Sequence, residues 1–402
     1  MIAKDFIFRA PKTDLHVHLD GSIRIPTLIE IARQEGMELP SYTVEGLNEL
    51  VFKEKYQSLG DYLTCFGYTC RAMQTPENLE RVAYEFALDN LAEGVRYFEV
   101  RFAPQLHMGT MDLLTVLESV NRGLARARIE FNRRPEVVSG AEPEFKYGII
   151  ACAMRMFGPV SDYFRQFLDA HPFSKPDRIY ALAAYELAQG VVKYRDLNGL
   201  PVVGFDLAGQ EDGYPAHDYW KAYHFAHKNF MHKTVHAGEA YGPESIFQAI
   251  TDLYAERIGH GYYLFDISKI SSPEIEDREA YVRALAHYIA DKRITIEVCL
   301  TSNLQTNPSI GDLGNHQFKN MRAARLSATF CTDNRTVSKT TVTREIERAV
   351  EAFRITPKEL KDYIIYGFKR CFFPGPYGEK REYVRSIIDY YDRLAREFGI
   401  EE

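Results

Sequence analysis

The chain lacks the marks of an exported or membrane-bound protein. Its opening residues, MIAKDFIFRAPKTD, hold no apolar run of the roughly 7–15 residues used by a secretion signal, and no stretch reaches the roughly 18 apolar residues that span a bilayer. A cytoplasmic location is the expectation. Cysteine is sparse, and Cys65, Cys70, Cys152, Cys299, Cys331 and Cys371 form no C-x-x-C pair. That excludes a cysteine-rich structural zinc site and the H-x-E…P-C-x-x-C nucleobase deaminases. Several of the six lie in apolar runs such as GIIACAM and read as buried thiols. Any metal therefore has to be held by histidine and carboxylate. Blocks of like charge are missing, and a net charge of −7 argues against a nucleic-acid backbone or an anionic membrane as partner. A small neutral or cationic ligand fits better. No P-loop or dinucleotide glycine pattern follows a strand, since Gly204 to Gly213 lacks the spacing and the helix start, so nucleotide-driven chemistry has no support. Internal repeats and low-complexity linkers are absent as well.

Hydrophobic residues at 46% and charged residues at 26% over 402 positions are ordinary globular usage, which leaves ample core and excludes disorder and coiled coil. Short β-type runs alternate with longer stretches of helical period. The runs are Lys12 to His16, Val95 to Phe102, Tyr147 to Ala153, Val202 to Asp206, Thr234 to His236, Arg257 to Gly259, Ile294 to Cys299 and Ala328 to Asp333. Between them, Thr75-Pro76-Glu77 reads as cap, first-turn proline and first-turn acid, with Leu79, Val82, Ala83 and Phe86 following at helical spacing until Gly94. Met111 to Phe131, Pro243 to Tyr254, Glu274 to Ala290 and Thr341 to Phe353 read the same way. Eight strand-helix units predict an α/β fold, a single (β/α)8 TIM barrel over residues 1–402. Such a barrel typically takes about 250 residues, so segments are added. The expected additions are helices after the first strand, from Pro26 to Arg71, the polar loop Asn132 to Glu144 and the stretch Gly158 to Asn198, with a last helix within Tyr377 to Phe398 packing outside.

Chemistry is expected at the carboxyl ends of the strands. The first strand ends His16-Val17-His18, and alternation along a strand sends both imidazoles to one face, where they can reach one ion or merely sit in core or surface. The fifth ends His236-Ala237-Gly238-Glu239, adding a third imidazole and a carboxyl that could shuttle protons or remain a solvated loop charge. The sixth ends Gly259-His260-Gly261. Asp333, after the eighth strand, could cap the next helix, supply an oxygen ligand, or act as base toward a metal-bound water. Four rim histidines from three strands favour a metal and hydrolysis. The pair His224 and His227 has helical spacing and reads as amphipathic surface.

These stretches, KTDLHVHLDGSIR, EVRFAP, GFDLAG, TVHAGE, RIGHG, CLTSNLQTN and FCTDN, resemble in order the adenosine deaminase family of the metal-dependent hydrolases, over nearly the whole chain. The resemblance implies zinc-dependent hydrolytic deamination of adenosine, and of 2′-deoxyadenosine, to inosine and ammonia in purine salvage. It implies one Zn2+ held by His16, His18, His236 and Asp333, with Glu239 protonating N1 of the purine, His260 orienting the attacking hydroxide and Asp333 sharing in its deprotonation. It further implies that the Gly209 backbone faces N3 and that Asp20 accepts from the ribose 5′-hydroxyl. The commonest family ending is Asp-Asp-Pro, whereas this chain reads Asp333-Asn334-Arg335. An amide at 334 donates toward N7 at any pH, where a carboxyl must first be protonated. The expected partner is thus a small purine nucleoside, with no nucleic acid and no membrane. The alternatives are another 6-aminopurine (adenine, N6-methyladenosine or aminodeoxyfutalosine) and a barrel that binds nucleoside without turnover.

Overall fold

The computed structural model describes residues 2–400. Eight parallel strands pair strictly with their sequence neighbours: β1 (Lys12–His18), β2 (Val95–Phe102), β3 (Lys146–Met154), β4 (Val202–Ala208), β5 (His232–Ala237), β6 (Arg257–His260), β7 (Thr295–Val298) and β8 (Ala328–Phe330). Parallel neighbours need a crossover each, and the helices supply them on the outside, as the alternating sequence predicts. The sheet closes through the bridge between Val17 and Asp333, fixed by His18 N–H donating to the Asp333 carbonyl at 2.7 Å and Asp333 N–H donating to the His16 carbonyl at 2.8 Å. Closure is what sets Asp333 between the two histidines of β1.

Two boundaries differ instructively from the expectation. β1 runs two residues further, so both His16 and His18 lie on the strand, while β8 stops at Phe330 instead of Asp333. Asp333 has φ 61°, a left-handed conformation that breaks strand geometry, and His260 at the end of β6 has φ 63°. Non-glycine residues adopt this conformation at a cost of about 1–3 kcal/mol and gather at functional sites.

The helices after β1 are as expected, with Ile25–Glu35, Val44–Leu50, Leu59–Leu63 and Phe66–Ala72 preceding the crossover helix Pro76–Ala92. The stretch from 158 to 198 is a correction. Its helix Pro176–Asn198 lies against β3 and β4 and is the barrel's own crossover, with Ile179, Ala183, Leu187 and Val191 buried and Gly199 closing it in the left-handed conformation. Only the loop and the short helix Asp162–Asp169 are added there. The polar loop from 132 to 144 carries the single turn Pro135–Val138, and Tyr377–Glu397 packs outside against Pro357–Arg370.

Candidate active site

The metal-ligand candidates converge. One donor atom each of His16, His18, His236 and Asp333 lies within 4.8 Å of every other. His18 Nε2 is 3.2 Å from His236 Nε2, and Asp333 Oδ1 is 3.4 Å from His16 Nε2 and 3.5 Å from His18 Nε2. A tetrahedral zinc with bonds of about 2.0–2.1 Å places its ligand atoms about 3.3 Å apart, so these separations match a zinc cradle. The buried Nε2 of His16 has no hydrogen-bond partner among the described residues, which fits a lone pair kept for a cation.

The outer ring nitrogens of His16 and His236 are held by carboxylates, and that of His18 has a carboxyl group nearby. Glu297 Oε2 lies 2.9 Å from His16 Nδ1, Asp206 Oδ2 lies 3.0 Å from His236 Nδ1, and Asp20 Oδ1 faces His18 Nδ1 at 3.9 Å. The carboxylates hydrogen-bonded behind His16 and His236 fix those two rings and turn each Nε2 inward as an acceptor. Beneath them the fully buried Arg101 joins Asp206 and Glu297, each at 3.0 Å, and Arg257 joins Glu297 at 2.6 Å and also Glu99. Burial opposes the charge on Glu297, but Arg101 and Arg257 hold its carboxyl well below the usual range. Burial likewise raises Asp333, yet His16 and the neighbouring imidazoles keep it strongly acidic. His18 and His260 are driven well below the usual histidine range, chiefly by burial, so both stay neutral.

Glu239 and His260 stand at the same end of the barrel, with Glu239 Oε1 3.7 Å from His260 Nε2. Burial, reinforced by the charge on Asp333, pushes the Glu239 carboxyl up to about 8, so it holds a proton near neutral pH. Its loop is built on Glu211, whose buried carboxylate accepts five hydrogen bonds: Oε1 from Gly238 N–H and Ser245 Oγ, Oε2 from the N–H groups of Glu239, Ala240 and Tyr241. His260 is oriented by a second chain. The Phe318 N–H donates to His316 Nδ1 at 3.0 Å, so His316 carries its proton on Nε2 and donates it to Asn303 Oδ1 at 3.1 Å. The amide of Asn303 then presents its N–H to His260 Nδ1 at 3.2 Å, which leaves the His260 proton on Nε2, toward Glu239.

A cavity of about 740 Å³ opens above the cradle, lined by His18, Asp20, His236, Glu239, His260, Asp333 and Asn334 and by apolar side chains including Leu106, Met154 and Phe157. Its size suits a small organic ligand. Gly209 faces it with φ 95°, a conformation that needs glycine, and so offers bare backbone. Asn334 differs from the simple expectation: one amide N–H is already given to the Tyr62 hydroxyl at 2.7 Å, which leaves its second N–H to meet a ligand. Asp20 is buried and pushed up to about 7 by that burial.

Every sequence-predicted site residue except His16 thus lines this cavity, and His16 is buried in the cradle with the other three donors. His224 and His227 lie on an outer helix, His227 stacked on Tyr254, as an amphipathic surface predicts. Sequence reasoning missed Glu297, Asp206, Arg101, Glu211, Asn303 and His316. The signal for the first three was present, since a charge inside an otherwise apolar strand such as ITIEVCL is too costly to be idle.

Donors at tetrahedral separations, at the end of the barrel where such enzymes place their chemistry and with a protonated carboxyl beside them, put the chain among the (β/α)8 metal-dependent hydrolases. Within that class it belongs to the adenosine deaminase family, whose model matches residues 11–182 and 178–390. Adenosine deaminase 1 of Streptomyces coelicolor is 35% identical over 392 residues, 96% of this chain and 87% of its own. Two solved structures share the fold. A zinc-bound amidohydrolase from Burkholderia ambifaria has a TM-score of 0.77 and 20% identity over 100% of this chain and 96% of that one. An N6-mAMP deaminase from arabidopsis has a TM-score of 0.71 and 25% identity over 96% and 99%.

Proposed function

We propose that this protein hydrolyses adenosine and 2′-deoxyadenosine to the 6-oxo nucleosides and ammonia, as a purine-salvage enzyme with one zinc ion per chain. The observation that carries the reading is the cradle of His16, His18, His236 and Asp333 at zinc-ligand separations, with Glu239 and His260 directly beside it. Zinc bound there would polarise a water and bring its pKa toward about 7. Against a water so activated, Asp333, held ionised, would accept the proton, and the Nε2–H of His260 would orient the oxygen. Glu239, in its acid form, gives a proton to N1, so the negative charge from addition at C6 does not build up on the ring. The C6–N6 bond then breaks, N6 leaves as ammonia with a proton returned through the same carboxyl groups, and the water oxygen stays on C6.

The remaining contacts orient the nucleoside. Asp20 accepts from the 5′-hydroxyl, Gly209 meets N3 through its backbone, and Asn334 donates to N7 with its free amide proton. Asp20 also argues for a nucleoside over the free base or a nucleotide. Free adenine has no sugar hydroxyl to offer it, and a 5′-phosphate would bring its charge against the buried carboxyl of Asp20. We assign residues 1–402 to one domain and place it in the cytoplasm, where free thiols persist. Relative kcat/KM on adenosine, 2′-deoxyadenosine, adenine, N6-methyladenosine and AMP tests the assignment. The two nucleosides with a free 6-amino group should lead. A preference for adenine or AMP would overturn it, and a zinc-loaded protein inert toward all five would favour a binding barrel.

A further inference from the structure

A second donor cluster lies beside the first. Asp20 follows β1, Cys70 belongs to the helix Phe66–Ala72, and His107 ends the turn Pro104–His107 after β2. A carboxylate oxygen, a thiol sulfur and a ring nitrogen from the three lie within 4.8 Å of one another, with Cys70 Sγ 4.0 Å from Asp20 Oδ2. His107 is fully buried, and its Nδ1 sits 3.1 Å from the Met73 carbonyl oxygen. A carbonyl only accepts, so Nδ1 carries the ring proton and Nε2 is a bare lone pair. That Nε2 and Asp20 Oδ1 are both buried without a hydrogen-bond partner among the described residues, although Asp20 is only 4% exposed and His107 0%. Buried acceptors left open in this way call for a donor or a cation. A mixed nitrogen, oxygen and sulfur set suits zinc or a similar thiophilic divalent ion, and does not suit magnesium or calcium.

We propose that Asp20, Cys70 and His107 form a second, inhibitory site for a thiophilic divalent cation, zinc foremost, that fills only in metal excess. The site offers three protein ligands where the cradle offers four, so it is the weaker of the two. Cys70 and Asp20 both line the cavity, which gives the ion a route in; Cys70 loses its thiol proton to solvent as it binds. Occupancy takes Asp20 away from the sugar hydroxyl and blocks the cavity. This inhibitory half rests on the nucleoside reading, whereas the binding half does not.

The test starts from protein brought to one equivalent of zinc and then titrated with zinc under metal analysis. A second, weaker equivalent should bind, slow the alkylation of Cys70 and raise KM for adenosine with kcat unchanged. Cobalt in the same site should show a thiolate charge-transfer absorption. Cys70→Ser and His107→Gln should each weaken the second equivalent by about 10-fold or more and leave the first in place. Cys70 is half-buried on a short helix, so its serine variant keeps the test informative if the histidine variant folds poorly. Saturation at one equivalent under excess zinc would overturn the proposal, as would a second equivalent that binds Cys70→Ser undiminished and leaves Cys70 open to alkylation. Should the protein fail to deaminate adenosine, the stoichiometry and alkylation still decide whether the site exists.

Discussion

Glu211 accepts the backbone N–H of Glu239 at 2.9 Å, so one carboxylate fixes the position of the other. Because Glu211 also takes the N–H groups of Gly238, Ala240 and Tyr241, the entire turn after β5 is strung on a single side chain, 1% exposed. Glutamine keeps the shape but presents an NH2 group to some of those donors. Glu211→Gln should therefore lower kcat by about 10–100-fold, the scale of a small misplacement of a reacting group. Steady-state kinetics beside metal analysis checks it, with one zinc retained.

The proton on His260 is set from a distance. Asn303→Asp places an acceptor against Nδ1, draws the proton there and leaves Nε2 bare toward Glu239. A wrong tautomer in a catalytic histidine is expensive, and kcat should fall by at least about 10²-fold. Nitrogen-15 NMR of the ring should report the proton on Nε2 in the native protein and on Nδ1 in the variant, a change that loss of packing alone would not give.

Glu239→Gln should cut turnover by about 10²–10⁴-fold, as expected for a lost acid-base group. The same change should stabilise the metal-free protein, and the sign follows from its pKa. Burial raises the carboxyl from 4.5 to about 8, so the folded state holds this proton more tightly than the unfolded chain. Its contribution is most favourable below about 4.5 and declines as pH climbs through about 8. Glutamine cannot ionise, so the melting-temperature gap between variant and parent should be near zero at pH 4 and widen to several degrees by pH 8. Thermal scans across that range measure it.

Removing metal should be felt by the fold as well as the chemistry. Two Nε2 lone pairs 3.2 Å apart, with Asp333 beside them, repel unless a cation or proton lies between. Chelation should lower the melting temperature, and zinc at about 1,000 times its dissociation constant should restore about 4 kcal/mol. His236→Ala should show a much smaller rise at the same zinc concentration.

The barrel was legible because parallel strands between crossovers leave a strong alternating pattern, and the candidate ligands were legible because each ends a strand. The parts that escaped depend on contacts remote in sequence. Glu297 and Asp206 support histidines on other strands, and Asn303 with His316 reaches His260 through the helix Leu300–Thr306. The segment from 158 to 198 reads as an addition because the chain is longer than a typical barrel needs; only packing against β3 and β4 reveals its helix as part of the barrel. A local string could not reveal that Tyr62, 272 positions away, takes one of the Asn334 amide protons.

The central claim is metal-assisted hydrolysis of adenosine at this cradle. The most direct measurement follows adenosine to inosine by ultraviolet absorbance, with ammonia counted in parallel, on protein as purified, after chelation, and after return of one equivalent of zinc. The account predicts one ammonia per inosine, loss of the reaction on chelation, and recovery with that single equivalent. Zinc-replete, folded protein that leaves adenosine untouched, or turnover that survives complete removal of metal, would contradict it.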